Sequence, residues 1–496
     1  MLQSCERCFG TMDCEKRSRL LQQLRLYSCI MPILHFFIMS LCYHCILATF
    51  LYSTFVIFLP LPLGGEFAAV AYAQAQPPNR PSSVRCPSPA NPRKMYIECV
   101  GQPFDTIEET LTKDWIELRT ELSRRGITPI ASYTTQLMGN TSGGQSQGFT
   151  YSGTLQASIL WDLYKLLHVP GLAFNMDAHW ATGQNLSNDH IGNSLQVQSA
   201  YNSPGNGTNN LILGEIYVQQ QLLHNSLMIA AGRLAPTSTF ATMPVLTNYV
   251  NAAINAVPGS LSINDATFTS HPPGVEWGAQ ALYNITPALQ VASGVFNTNA
   301  SAAAGGKGGL DFAFQQGNQG VLSVAQVTYL FNHGQGDTGL PGQYALGGFY
   351  DSSRFASLSN PNSTKSGTYN LYGMLQQMVY RDGDASSTKG LTVWGEAAIA
   401  PTTSVNPMPY FVGAGLSYQG LIAGRDNDIA AVGFIHGIFS QYIPRTTAET
   451  VLEANYQITI YRWLSITPDM QYIIRPSGSS AISNAFVIGT QVAMNF

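Results

Sequence analysis

The chain has 496 residues, and only 10% of them are charged, against roughly a quarter in ordinary soluble domains. Gly, Ser, Thr, Asn and Gln stand where charge would be, and aromatics reach 11% with 24 Tyr. A formal net charge of −4 with no basic stripe speaks against nucleic-acid binding, and the mix suits a wall that is wet on one side and apolar on the other rather than a cytosolic enzyme.

Residues 1–75 form a separate object. Lys16, Arg17, Arg19 and Arg25 make a basic cluster, and no further charge follows until Glu66. The apolar run MPILHFFIMSLCYHCILATFLYSTFVIFLPLPL lies between them. Ala71-Tyr72-Ala73 and Ala73-Gln74-Ala75 are small-x-small cleavage signals, so the segment reads as a secretory leader. It is longer than a standard one. A start at Met31 or Met39 and an extended leader both stay open, and an uncleaved membrane anchor is the alternative. Six of the eight Cys fall in this leader, at 5, 8, 14, 29, 42 and 45. The remainder keeps Cys86 and Cys99, close in sequence, which suggests one disulfide closing a small loop of an exported chain. With no other Cys or clustered His nearby, no metal site is expected there. Without the leader the chain holds 19 Lys and Arg against 24 Asp and Glu.

Residues 76–126 read as a periplasmic N-terminal segment. Positions 76–103 are rich in Pro and Ser, and one helix is predicted after them. In FDTIEETLTKDWIELRTELSRRGI, Leu111, Trp115, Leu118 and Leu122 share a face at helical spacing. Thr106 with Glu109 makes a capping box, and Gly126 supplies the stop.

From residue 127 to 496 the sequence runs in segments of about ten residues separated by Gly, Asn, Pro and Ser, which suits short strands and turns. Sixteen strands are predicted, near 127–140, 149–163, 171–183, 209–222, 226–234, 274–285, 289–297, 322–332, 344–353, 370–382, 390–401, 409–421, 428–440, 450–462, 464–475 and 485–496. In the second, Phe149, Tyr151, Leu155, Ala157, Ile159 and Trp161 oppose Thr150, Ser152, Thr154, Gln156, Ser158 and Asp162. In the sixth, Val275, Trp277, Ala279, Ala281, Tyr283 and Ile285 oppose Glu276, Gln280 and Asn284. The last alternates Phe486, Ile488, Thr490, Val492, Met494 and Phe496 with Val487, Gly489, Gln491, Ala493 and Asn495. The segments 322–332 and 370–382 alternate poorly, so the count could be off by two.

A sandwich would bury the apolar faces against each other, whereas a membrane barrel turns them to lipid and keeps the polar faces inside. Strand length, polar faces poor in Lys, and aromatics near strand ends favour an antiparallel transmembrane barrel with about sixteen strands and one short N-terminal helix. Closure also removes edges that would otherwise aggregate. The terminal Phe496 ends an alternating strand, a feature common in outer-membrane barrels, where the assembly machinery reads it.

On the inward faces, Asn175, Asp177 and His179 oppose Leu172, Phe174, Met176 and Trp180. Glu215, Tyr217 and Gln219 share a face, as do Glu453 and Asn455, and then Asp469, Gln471 and Arg475. Together with Glu276 these are the predicted pore-lining residues, polar and aromatic side chains that hold a passing solute weakly enough to release it. His179 alone is no metal site. Gly334 to Gly339 matches GxGxxG without a following helix, and Ser386 to Lys389 matches S-x-x-K in a loop; neither carries chemistry.

The stretch EANYQITIYRWLSITPDMQYIIRPSG at 453–478 is the most specific. Its Glu453, Tyr456 and Trp463, the run Pro468-Asp469-Met470-Gln471-Tyr472-Ile473, and Pro476 with Gly478 resemble the carbohydrate-selective porins of the OprB type. LTKDWIELRTELSRRGI, LGEIYVQQQLLHNSLMIAAGRL, ALGGFYDSS and AGRDNDIAAVGF resemble other blocks of that family, and the likeness covers roughly 104–496. It implies a sixteen-stranded barrel in the outer membrane of a Gram-negative bacterium that passes small sugars by diffusion. No enzyme activity and no cofactor are implied. The N-terminal helix would narrow the channel from the periplasmic side. Implied partners are small sugars, outer-membrane lipid and the barrel-assembly machinery, with a homo-oligomer left open. A general non-selective porin and a secreted β-rich carbohydrate-active or adhesive protein are the alternatives. The neutral loop at 235–273 could fold inward as a constriction or lie outside as a lid.

Overall fold

The computed structural model describes residues 110–114, 117–200, 210–269, 275–298, 320–333 and 337–496. The leader, Cys86, Cys99 and the Thr106–Glu109 capping pair lie outside the described residues. A short helix, α1 (Leu118–Arg124), precedes sixteen strands. They are β1 (Ile127–Gly144), β2 (Gly148–Asp162), β3 (Leu172–Gly183), β4 (Asn210–Leu222), β5 (Leu227–Leu234), β6 (Glu276–Asn284), β7 (Leu289–Asn297), β8 (Val321–Phe331), β9 (Gly342–Ala356), β10 (Thr364–Arg381), β11 (Gly390–Ile399), β12 (Tyr410–Gln419), β13 (Ile429–Ile438), β14 (Ala448–Tyr461), β15 (Leu464–Ile474) and β16 (Ser483–Asn495).

Each strand pairs antiparallel with its neighbours in sequence, and β1 pairs with β16, so the sheet closes on itself. No unpaired edge is left along the wall. At the seam the register runs from Ser132 opposite Asn495 to Asn140 opposite Val487, and the Phe496 amide donates to the Ala131 carbonyl at 2.8 Å. The carboxyl terminus therefore sits at the barrel end where β1 begins, here the terminal end. Connections there are short: Arg462 and Trp463 alone join β14 to β15. At the far end lie the long connections 184–209 and 235–275.

Alternation sets the two faces. In β2 the polar Thr150, Ser152, Thr154, Gln156 and Ser158 are buried inside, while Phe149 and Tyr151 are exposed on the outer surface. In β14 Glu449, Glu453, Asn455 and Gln457 point inward. Aromatic side chains mark the rims of the outer belt. Tyr410 and Tyr418 share the outer face of β12; their eight-residue separation, at ~3.4 Å per residue on a strand tilted by about 40°, spans roughly 21 Å along the barrel axis. That approaches the ~25 Å apolar band of outer-membrane barrels. At the terminal end Tyr461 stacks on Trp463 and Trp161 packs on Phe174.

Segments 322–332 and 370–382 do form strands, β8 and β10, and the count of sixteen stands. Their poor alternation has a physical cause. Leu322 and Val324 of β8 and Tyr372, Met374 and Met378 of β10 point inward, yet are apolar and buried, because protein rather than water lies against them.

The predicted helix needs correction. α1 has 7 residues, and Glu117 before it adopts φ 67 without a side-chain cap. Leu111 and Leu118 are exposed, and Arg119 is the buried member of the helix. The Leu111 amide donates to the Asn495 carbonyl at 2.9 Å, so residues 110–114 lie as a turn on the barrel seam and do not continue the helix. Arg119 holds that turn, donating to the Thr110 hydroxyl at 2.7 Å and to the Lys113 carbonyl at 3.3 Å.

Candidate functional site

The connection between β5 and β6 enters the barrel and follows the inner wall. Phe240 meets Phe296 of β7 edge-on at 6.4 Å. The Ala241 amide donates to Gln326 of β8 at 2.8 Å, and the Val245 amide to Gln376 of β10 at 3.0 Å. Asn248 donates to the Ser417 hydroxyl of β12 at 2.8 Å. On β14 both carboxylate oxygens of Glu453 are taken, by the Val250 amide at 2.6 Å and the Asn251 amide at 3.1 Å. The chain then turns through two short helices, α2 (Ala252–Asn255) and α3 (Gly259–Asn264), and returns along the same side. Asn264 bonds Asn370 of β10 at 3.0 Å, and Phe268 stacks on Phe349 of β9 at 4.6 Å. The loop thus lies inside, as a constriction and not as a lid.

Tyr249 fixes the middle of this path. Its hydroxyl lies 2.9 Å from the Leu416 and Val432 carbonyls and accepts from Trp394 Nε1 at 2.8 Å. The wall makes room through two glycines paired across β12 and β13, Gly415 and Gly433. A Cβ on Gly433 would lie 2.9 Å from the Tyr249 ring, and one on Gly415 2.8 Å from Trp394.

The connection after β3 also turns inward. Its Ser199 and Ala200 bond Gln136 of β1, its Gln198 donates to the Ser152 hydroxyl of β2 at 2.9 Å, and Glu449 of β14 accepts the Ser194 and Leu195 amides. With the second loop it forms an apolar cluster inside the barrel. Leu186, Leu195, Phe240, Leu246, Ile254 and Leu261 pack there against wall residues such as Phe349, Trp394 and Ile435.

The predicted site residues divide into two groups. Glu453, Asn455, Asp469 and Gln471 point inward, but Glu453, Asn455 and Gln471 hydrogen-bond the inward loops, and Asp469 accepts from Gln471. Asn175, Asp177, His179, Glu215, Tyr217, Gln219 and Glu276 lie on β3, β4 and β6. At the second loop's root the Ala235 amide and Ser238 hydroxyl donate to Glu215 of β4, and Tyr217 packs against the interior apolar cluster. Asn175, Glu215 and Tyr217 are half-buried, whereas Asp177, His179, Gln219 and Glu276 are buried. Asp177 sits at a bulge where pairing steps from Met176–Ile216 to Ala178–Leu213. Its carboxylate accepts the otherwise unpaired Glu215 amide at 2.8 Å and contacts His179 Nε2 at 3.2 Å. A Cβ on Gly214 would fall 2.0 Å from that carboxylate, so only glycine fits there. Arg475 leaves the predicted wall: β15 ends at Ile474, Pro476 cannot continue the ladder, and Arg475 turns at φ 53 into the far-end connection.

A sequence model described as the carbohydrate-selective porin, OprB family, matches residues 146–496, well over half of the chain. The chain belongs to the OprB family. Porin B of Pseudomonas aeruginosa is 23% identical over 441 residues, which cover 80% of this chain and 93% of that protein. The putative porin QuiX of Acinetobacter baylyi is 22% identical over 435 residues, covering 78% and 93%. The structure of Pseudomonas putida OprB at high pH shares the fold, with a TM-score of 0.71 at 22% identity over 78% of this chain and 98% of that one.

Within this OprB-family barrel, some interior residues escaped the sequence reading. Glu449 shares the face of Glu453 four positions on, and that parity alone places it inside. Glu396 of β11 is buried near Tyr249, and nothing local marks it, because Trp394 and Ala398 beside it read as an apolar face. Asp265 ends α3, where its carboxylate accepts the Thr267 amide at 2.9 Å. Burial, then the neighbouring Asp351 carboxyl, hold Asp265 well above the usual carboxylate range.

Proposed function

We propose that this carbohydrate-selective porin passes small sugars passively across the outer membrane of a Gram-negative bacterium, along the β3–β6 side of its interior. One observation carries this reading. Asn175, Glu215 and Tyr217 are half-buried on the inner face of β3 and β4, where the second loop touches Glu215 at its root through Ala235 and Ser238, while further along the loops hold Gln326, Glu453 and Ser152 on β8, β14 and β2. An amide, a carboxylate and a phenol ring offer a sugar weak hydrogen bonds and one flat face, which allows passage without retention. Asp177 and His179 act behind them by holding the bulge. The chain works as a channel without catalysis or cofactor. Residues 1–75 export it, Cys86 and Cys99 pair in the periplasmic segment 76–126, and Phe496 addresses residues 127–496 to the barrel-assembly machinery.

Liposome swelling with the refolded protein tests this, comparing glucose and a disaccharide with neutral solutes of matched size. Faster swelling with the sugars is expected. Equal rates would leave a general porin, and no swelling from folded protein would remove the channel.

A further inference from the structure

Two loops, rooted at different strands, meet at a single wall side chain. Gln471 of β15 is 1% exposed. Its Oε1 accepts from Asn251 Nδ2 of the second loop at 2.8 Å, and its Nε2 donates to the Val197 carbonyl of the first at 3.0 Å. Nε2 also donates to Asp469 Oδ2 at 2.9 Å. The Val197 carbonyl only accepts, so the amide has one satisfactory orientation. Beside it the loops bond each other: the Ser199 amide donates to the Val250 carbonyl at 3.1 Å and the Ala252 amide to the Gln196 carbonyl at 2.9 Å. The second loop leaves the wall at β5 and rejoins it at β6, whereas Gln471 stands on β15. On a closed ring of sixteen strands, that is close to the opposite side. A tie so far from the root acts together with those of Tyr249 and Glu453 on where the middle of the loop lies.

We infer that Gln471 is a positioning residue that clasps both inward loops to the β14–β15 wall, holding them as one unit and keeping the passage clear. This rests on the reading of the chain as an open channel. Glu453 grips only the second loop and Glu449 only the first; Gln471 joins them. Without the clasp, the second loop keeps its roots and its ties through Tyr249 and Glu453, but the two loops lose their shared anchor on β15 and shift more often toward the passage.

The test is single-channel current in planar bilayers, with full-length protein whose folding is checked by heat-modifiable mobility. Gln471→Ala removes both partners, and losing a buried amide of this kind shifts the ratio of held to released loop roughly tenfold. The expected reading is frequent partial closures and a lower mean current than the parent. Asn251→Ser keeps a helix-capping oxygen but cannot reach Gln471; lying in the loop, it leaves strand pairing intact should Gln471→Ala fail to assemble. It is expected to produce the same closures, and the double variant no more than Gln471→Ala alone. Currents as quiet as the parent's in folded variants, or closures that add in full in the double variant, would overturn the clasp. Ion current does not depend on sugar preference, so a parent that conducts without favouring sugars sinks the selectivity and leaves the clasp standing.

Discussion

The β3–β4 wall and the β8–β10 wall share a strand geometry and differ in what faces inward. On β3 and β4 the inner side chains include Asn175, Asp177, His179, Glu215, Tyr217 and Gln219, beside the buried Ala173, Ala181 and Ile212. On β8 and β10 they include Leu322, Val324, Tyr372 and Met374, buried in the apolar cluster that the second inward loop shares, beside Gln326 and Asn370, which bond that loop. An outer face turned to lipid must be apolar on every strand. The inner face carries no such constraint: it is polar where it meets water or solute and apolar where a loop docks. One barrel therefore contains two kinds of wall, a lining and a seat.

The largest effect is expected from removing what the seat holds. Replacing residues 240–268 by a short Gly-Ser linker should raise conductance severalfold in bilayer recordings and flatten any preference among sugars of different size. An unchanged conductance would mean that the loop does not narrow the path. Next, Phe268→Ala removes a ring stacked on Phe349 and packed against Tyr372, and should cost about 3–5 kcal/mol of loop docking or barrel stability. Thermal unfolding followed by the loss of heat-modifiable mobility reads this. Gly433→Ala should displace Tyr249 from its window at a cost of about 1–3 kcal/mol, seen as faster proteolysis of the second loop in detergent. On the lining, Asn175→Ala should change stability by no more than about 0.5 kcal/mol while altering the swelling rate with glucose relative to a size-matched neutral solute. A stability loss as large as that of Phe268→Ala would erase the distinction between the two walls.

The smallest effect concerns pH. Because burial and Asp351 raise the Asp265 carboxyl, its favourable share of docking is complete below the ordinary carboxylate range. It is lost as pH rises through its raised value. Asp265→Asn should remove that loss, so the variant's loop should resist protease at alkaline pH better than the parent's, with little difference at acidic pH.

Much of this was legible in the sequence, and the weak places in the reading were informative. Clean alternation in β2, β6, β14 and β16 reflects two unlike solvents, lipid outside and a polar interior, and strand, face and closure follow from it. Weak alternation in β8 and β10 signals a dry inner contact, though one strand cannot say with what. The predicted helix shrank to α1 because a seam hydrogen bond from Leu111 to Asn495 outweighs local spacing. Arg475 was placed on the wall by parity alone, which does not register the turn that Pro476 enforces.

The sequence by itself determined the barrel, its sixteen strands, the inward parity of the carboxylates and amides, and the family likeness, since all of these rest on local periodicity or on short runs of residues. Only the tertiary structure decided that the loop turns inward over residues 235–269, that Glu453 and Asn455 hold its backbone and Gln471 its Asn251 side chain, and that Glu215 of β4 holds its root. The reason is distance along the chain. Val250 and Glu453 lie about two hundred positions apart, and a buried amide finds its acceptor only once the closed sheet brings opposite walls within a loop's reach.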